Sequence, residues 1–132
     1  MDAITAISLS GLNAAQLQLQ SSADNVANMD DQAPLPGSGI AGPAPYAPTS
    51  VSQVNLGAGG VQAQLQASTA PPVAAYAPAS PYANAGGLVA TPNVDLAAQG
   101  VNEVQALAAF RASLATLKVE DQMQKSLLDV VR

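Results

Sequence analysis

Few residues of this chain could carry chemistry. Its 132 residues include no histidine and no cysteine, which excludes disulfides, thiolate zinc sites and catalysis by either side chain. Asp30 with Asp31 and Glu120 with Asp121 are neighbouring acids, but no further ligand stands at metal-ligand spacing beside them. The many serines have no base to activate them. We therefore expect no enzymatic activity, no metal and no cofactor.

The remaining chemical signals are weak. Residues 57–60 form a glycine-rich stretch, but it lacks the lysine and the following helix that a phosphate-binding loop needs. Four basic residues against nine acidic ones give a net charge of -5, which argues against binding to nucleic acid or to anionic membranes. No segment approaches the roughly 20 apolar residues of a membrane span, so we expect no membrane insertion.

The distribution of charges and prolines divides the chain into three parts. Every charged residue lies in 1–31 or 95–132, and every proline lies between them. Residues 1–30 and 95–132 are predicted to be the two helices of a terminal-helix domain. Residues 31–94 are predicted to be a Pro/Gly/Ala-rich loop with a small β region. The fold class is therefore mainly α, with the long terminal helices packed as a coiled-coil-like pair and a small β-rich insertion between them.

The N-terminal helix is predicted over residues 2–28, where apolar residues recur at three-, four- and seven-residue intervals without a proline. Ser8, Gly11 and Ala15 form a ridge of small residues that would let another helix approach closely. Because glycine costs a helix about 1 kcal/mol relative to alanine, packing at Gly11 is expected to compensate.

The C-terminal helix is predicted from about Asp95 to Val131, with Asn93 or Asp95 as its N-cap and Pro92 as the preceding break. Its apolar residues follow a seven-residue pattern only in 110–117 and 128–131. Such an imperfect seam suits a broad buried face among several neighbours better than a strict two-stranded coiled coil.

The middle of the chain is predicted to hold short strands. Residues 32–50 combine prolines and glycines and read as an extended loop. Residues 51–56 and 61–67 flank the glycine-rich turn, and the alternation of apolar residues with glutamine in 61–67 predicts a half-buried strand of a hairpin. Further short strands are predicted at 73–76 and 88–90.

Neither helix can bury its apolar stripe alone. The helices must pair with one another, with copies of the same chain or with related chains, and little else in the chain could complete the core of an isolated two-helix hairpin. The sequence therefore favours an assembling subunit.

Two motifs add a resemblance. The N-terminal helix contains Ser10-Gly11-Leu12-Asn13-Ala14-Ala15, then Leu19, then Asn25-Val26-Ala27-Asn28. This pattern resembles the N-terminal signature of the bacterial flagellar axial family of rod, hook and hook-associated proteins. The stretch from Ala70 to Asp95 resembles the segment before the C-terminal helix in the proximal rod proteins of that family. Charged and aromatic residues that the family places after its Asn motif are replaced here by the uncharged Pro-rich stretch.

The resemblance implies a structural subunit of the basal-body rod, which spans the periplasm, polymerises helically and transmits torque for motility. Its implied partners are copies of itself, other rod proteins and the flagellar type III export apparatus. An acid at position 2 and no basic n-region also argue against a cleavable signal peptide.

The residues expected at the assembly interface are apolar or small positions of both helices and the two asparagines of the motif. They are Ile4, Gly11, Leu12, Ala15, Leu19, Asn25, Val26, Asn28, Val104, Leu107, Phe110, Leu114, Leu117, Leu128 and Val131. Two alternatives remain open: a soluble adaptor that docks through one amphipathic helix, and an inner-rod or needle-like protein of a type III secretion system, which would share the helical layout but not the two motifs.

Overall fold

Two long helices enclose a β-rich middle in the computed structural model, which describes residues 3–130. The element order is α1 (Ala3–Ala27), β1 (Thr49–Asn55), β2 (Val61–Ala67), β3 (Val73–Tyr76), β4 (Leu88–Thr91) and α2 (Leu96–Val130). The predicted mainly α fold with a β insertion is confirmed, and both predicted helices end within one or two residues of the observed bounds.

The helices run antiparallel and approach closely. Thr5, near the start of α1, contacts Glu120 in the second half of α2. Asn25, near the end of α1, contacts Gln99 near the start of α2. A Cβ atom added to Gly11 would lie 2.9 Å from the Ser113 Oγ. The close approach predicted for the small-residue ridge therefore occurs within one chain.

Asp95 provides the N-cap of α2. Its Oδ1 accepts hydrogen bonds from the backbone N–H groups of Ala97 and Ala98 at 2.9 and 3.1 Å. These bonds satisfy two of the donors that every helix start leaves unpaired. Of the two cap candidates in the sequence, Asp95 is confirmed.

The strands form two separate two-stranded antiparallel sheets. β1 pairs with β2 from Thr49↔Ala67 to Asn55↔Val61, and β3 pairs with β4 from Val73↔Thr91 to Tyr76↔Leu88. Ala33, from the Pro-rich loop, adds a short antiparallel bridge to Ala90. The predicted hairpin and both predicted short strands are therefore present.

The hairpin β1–β2 contacts α1 at both of its ends. At its base, Thr49 of β1 lies beside α1, whereas at its tip Val61 of β2 donates its backbone N–H to the Ser10 Oγ at 3.1 Å. Gly59 and Gly60 at the tip have φ of 93° and 86°, a conformation that favours glycine. Only the first half of β2 is half-buried and Leu65 is 45% exposed, so the half-buried strand was predicted over too long a range.

The buried apolar core is small. Its members are Ala14, Ala15, Ala33, Val89, Ala90 and Ala106. Val89 is the largest of these side chains, and it lies in the sheet β3–β4 rather than between the helices. Alanines bury little apolar area, so the helical pair is stabilised by close backbone approach and hydrogen bonds as much as by a hydrophobic core.

Candidate assembly surface

The residues predicted for the assembly interface fall into three classes of burial. Ala15 and Asn25 are buried, and a second group is half-buried: Gly11, Leu12, Val26, Asn28, Phe110 and Leu117. The third group is exposed: Ile4, Leu19, Val104, Leu107, Leu114 and Leu128. Val131 lies outside the described residues.

Asn25 is committed to contacts within its own chain. It is 1% exposed. Its Nδ2 donates to the Thr49 carbonyl at 2.8 Å, and its Oδ1 accepts from the Thr49 backbone N–H at 2.8 Å. The side-chain amide thus makes the two hydrogen bonds that a neighbouring strand would otherwise make with the backbone of Thr49.

Further hydrogen bonds connect Asn25 and Thr49 to the Pro-rich loop and to α2. The Tyr46 hydroxyl donates to the Asn25 Oδ1 at 3.1 Å, and the Asn25 Nδ2 also reaches the Gln99 Oε1 at 3.3 Å. The Ser21 Oγ donates to the Thr49 carbonyl at 2.9 Å. We call these five residues, Ser21, Asn25, Tyr46, Thr49 and Gln99, the Asn25 cluster. It joins α1, the Pro-rich loop, β1 and α2.

The hairpin covers one flank of the helical pair. The α2 residues that border clefts beside the hairpin are Gln99, Asn102, Ala112, Ser113 and Thr116. At about 100° per residue along a helix, Leu107 and Leu114 point about 130–150° away from the mean direction of these five around the helix axis. The hairpin therefore leaves the opposite flank of α2 uncovered.

This uncovered flank, which we call the open face, carries apolar side chains from both helices. A groove of about 300 Å³ lies on it, lined by Gln16, Leu19, Ala106, Leu107 and Phe110. Leu107 and Leu114 are 42% and 45% exposed. Of the predicted interface residues, the structure brings Leu19, Leu107 and Phe110 together here, and Leu114 lies on the same side of α2 seven residues after Leu107. Val104 lies only about 60° from Leu107 around α2, but it is not among the residues that line this groove.

The end of α2 extends beyond the start of α1. Because Glu120 lies opposite Thr5, residues 122–130 pass the N-terminal end of α1 and every one of them is exposed. A second groove of about 420 Å³ lies there, lined by Val119, Gln122, Met123, Ser126, Leu127 and Val130. We call the four apolar residues of this groove the distal stripe.

The distal stripe was not predicted from the sequence, which assigned only Leu128 and Val131 to this region. The signal was nevertheless present, because Val119, Met123, Leu127 and Val130 follow one another at four-, four- and three-residue spacing. The seven-residue pattern had drawn the prediction to a different flank of the helix.

Glu120 is a buried acid near the start of α1. It is 6% exposed, its Oε1 accepts a hydrogen bond from the Thr5 hydroxyl at 2.5 Å, and its Oε2 has no hydrogen-bond partner among residues 3–130. A buried carboxylate oxygen without a partner costs stability. Two adjacent acids on a helix most simply form an exposed face, and Glu120 departs from this because its turn of α2 faces α1, whereas Asp121 is exposed.

Two kinds of site are absent from the described part of the chain. Residues 3–130 contain no group of three or more side chains able to ligate a metal. Neither of their helices has the length and apolar character needed to cross a membrane. The open face and the distal stripe are therefore the candidates for a functional surface.

The sequence of the chain is similar to that of known proteins. No model of a known protein family matches the chain. Two curated proteins do: the flagellar basal-body rod protein FlgC of Escherichia coli O6:H1 (strain CFT073) and that of Escherichia coli O157:H7. Each is 35% identical over 127 residues, covering 89% of this chain and 89% of the relative. The similarity therefore includes at least part of both helices and of the β-rich middle.

Proposed function

The chain belongs to the FlgC family of flagellar basal-body rod proteins, and from this premise we propose that it is a structural subunit that polymerises helically into the rod. Its partners are copies of itself and other rod proteins, and the rod transmits torque for motility. The subunit reaches its place through the flagellar type III export apparatus. The open face is the surface through which it joins its neighbours.

The observation that carries this proposal is the open face itself. Leu107, Phe110 and Leu114 line one uncovered flank of α2, and Leu19 of α1 borders the same groove. Large apolar side chains clustered on one surface mark a protein interaction site more often than scattered ones do. Helices of neighbouring subunits packing here in a coiled-coil-like manner would bury what the hairpin leaves uncovered.

Assembly through such faces explains how a chain with a small core becomes rigid. Binding of neighbours to the folded form stabilises it by mass action. Each subunit would use different surfaces toward the chains before and after it, and such heterologous contacts that do not close into a ring produce a helical filament. Torque then passes through many buried faces at once.

A soluble adaptor is less consistent with these observations. An adaptor needs one amphipathic helix, whereas here α1 and α2 both contribute to the open face. An inner-rod or needle-like protein would share two helices, but both relatives found by comparison are basal-body rod proteins. Deleting residues 2–28 or 95–132 separately discriminates further, because a rod subunit should fail with either deletion and an adaptor with only one.

The rod proposal is tested by placing a charge on the open face. Leu114→Asp should prevent incorporation because an aspartate there cannot be buried against a neighbour without a partner. Ala115→Asp is the matched control, since Ala115 is exposed and points about 100° further around α2. The measurement is the amount of each variant in basal bodies purified from a strain that lacks the unmodified chain, with swimming as a second readout.

Circular dichroism of each purified variant establishes that it folds. Loss of Leu114→Asp from basal bodies, with Ala115→Asp retained, is the expected result. Normal basal bodies and motility with Leu114→Asp would contradict the role of the open face. Absence of the unmodified chain from basal bodies would contradict the rod proposal as a whole.

A further inference from the structure

The basic residues of the described part of the chain fall on one row of one helix. Arg111, Lys118, Lys125 and Arg132 follow one another at seven-residue intervals, and the first three lie in the described part of α2. Seven residues make almost two whole turns of a helix, so side chains at this spacing share a face. We call Arg111, Lys118 and Lys125 the basic row.

The basic row borders the open face. Arg111 comes four residues after Leu107, and Lys118 comes four residues after Leu114, so each cation neighbours an apolar residue of the open face on the helix surface. In coiled coils, charged residues in this position next to the apolar seam pair with charges on the partner helix and select the partner and its orientation. The row is thus placed to select whatever covers the open face.

Its own chain supplies little to neutralise the basic row. Within residues 3–130 the one ion pair joins the Lys125 Nζ to the Asp121 Oδ2 at 2.5 Å, both side chains being mostly exposed. Arg111 and Lys118 are exposed and have no acidic partner in that range. In the described part of α1 the only acidic residue is Asp24, which lies beside the Asn25 cluster, far from Lys118. No carboxylate within residues 3–130 pairs with Arg111 or Lys118, so both cations are available to an acid of another chain.

The opposite end of the same molecule carries an excess of acids. They are Asp24, Asp30, Asp31, Asp95 and Glu103. No basic residue lies among them, because the first one in the sequence is Arg111. All but Glu103 are exposed. The end where α1 finishes and α2 begins, which we call the acidic end, is therefore complementary in charge to the basic row.

We propose that the open face with its basic row docks the acidic end of a second copy of this chain, head to tail. This inference rests on the proposed rod function and names the partner of its open face. The apolar residues bury against the neighbour, and the cations at the rim fix its orientation. Since one end binds the opposite end, the contact repeats along a filament instead of closing into a two-fold dimer.

A charge-exchange experiment tests the complementarity. The first variant, Arg111→Glu with Lys118→Glu, makes the row acidic; the second, Asp30→Lys with Asp31→Lys, reverses the acidic end. Each variant alone then opposes like charges at every contact. When the two are expressed together in a strain without the unmodified chain, acidic row meets basic end and basic row meets acidic end.

The expected result is that basal bodies contain at least tenfold less of either variant expressed alone and regain both on co-expression. Retention of the row variant alone at the unmodified level would overturn the proposal. So would failure of co-expression to restore either variant when circular dichroism shows both to be folded. Acidic partners other than a second copy would leave the row variant absent under both conditions.

Disulfide cross-linking separates this inference from the rod function. The chain has no cysteine, so Lys118→Cys with Asp31→Cys introduces the only two thiols. In oxidised basal bodies the double variant should form dimers and longer oligomers, whereas each single variant should remain monomeric. Monomers only, in basal bodies that contain the double variant, would refute docking of a second copy and leave the rod function standing. Dimers from Lys118→Cys alone would indicate a two-fold contact and also refute it.

Discussion

Where α1 ends, Asn25 joins two helices, a loop and a strand through hydrogen bonds of 2.8 to 3.3 Å. Where α1 begins, Glu120 keeps one buried oxygen without a partner among residues 3–130, and α2 extends beyond Ala3 with an exposed distal stripe. At one end of the helical pair, the buried polar groups of Asn25 are hydrogen-bonded within the chain. At the other end, a buried oxygen lacks a partner among residues 3–130 and apolar side chains are exposed; we call these the completed end and the incomplete end. The difference indicates where a neighbouring subunit has most to contribute.

The comparison also explains why one motif contains residues of two kinds. Asn25 satisfies its own chain, and the exposed Leu19 two turns earlier borders the open face. Proteins that gain stability on binding need surfaces that the free chain leaves unsatisfied. We infer that the Asn25 cluster fixes the orientation of the helices and that the remaining surfaces use this orientation to assemble.

The largest effect is expected at the completed end. Asn25→Ala removes the partner of the Thr49 N–H and carbonyl and of the Tyr46 hydroxyl, and a buried group left unpaired costs about 1–3 kcal/mol. The free energy of unfolding in urea should fall by about 3 kcal/mol. Asn28→Ala is the control, because its Nδ2 donates only to the Asp24 carbonyl in an exposed position, and it should cost less than about 1 kcal/mol. Equal losses of unfolding free energy in the two variants would show that Asn25 contributes no more to stability than the exposed Asn28 hydrogen bond.

A smaller effect is expected where the helices approach most closely. Gly11→Val places carbon atoms within 2.9 Å of the Ser113 Oγ and should destabilise the helical pair by about 1–2 kcal/mol. Gly100→Ala is the matched control, because nothing lies within 4 Å of the added Cβ. It should stabilise the chain by about 0.5–1 kcal/mol through helix propensity. Thermal unfolding measures both, and stabilisation by Gly11→Val would contradict the close packing.

At the incomplete end, removing the buried charge should stabilise the free chain. Glu120→Met eliminates the unpartnered Oε2, and replacing buried charged groups by apolar ones is often neutral or stabilising, so we expect a gain of about 1 kcal/mol. Asp121→Asn is the control, since its ion pair is mostly exposed and should change stability by less than about 0.5 kcal/mol. A large loss of stability in Glu120→Met would show that this end is completed within the chain after all.

The smallest effect on the free chain is expected in the part of α2 beyond α1. Leu128 is 69% exposed, so Leu128→Ser should alter the free energy of unfolding by less than about 0.5 kcal/mol. Its amount in purified basal bodies should nevertheless fall severalfold if a neighbour covers this part of the helix. A variant that is both stable and fully incorporated would limit the assembly surface to the open face.

Much of the fold could be predicted because its signals are local. The absence of proline from α1 and α2, the glycine-rich hairpin turn at Gly59 and Gly60 and the cap at Asp95 each act within a few residues. The bounds of helices and strands therefore followed from the sequence to within about two residues.

The candidate site was less predictable because it depends on contacts between distant residues. Asn25 meets Thr49 and Gln99 across 24 and 74 positions, and no local pattern gives those partners. The burial of Glu120 depends on which turn of α2 faces α1. An apolar stripe also does not specify whether its own chain or another chain covers it, so Leu114 and Ala15 looked alike in the sequence although only Ala15 is buried.

Amide hydrogen exchange, read residue by residue in the free chain and in purified basal bodies, tests the central claim most directly. Exchange reports the free energy of local opening. The account predicts that residues 119–130 exchange rapidly in the free chain and gain about 100-fold protection or more in basal bodies, while Thr49 to Ala67 change by less than about threefold. Equal gains at both ends, or a distal α2 already fully protected in the free chain, would contradict it.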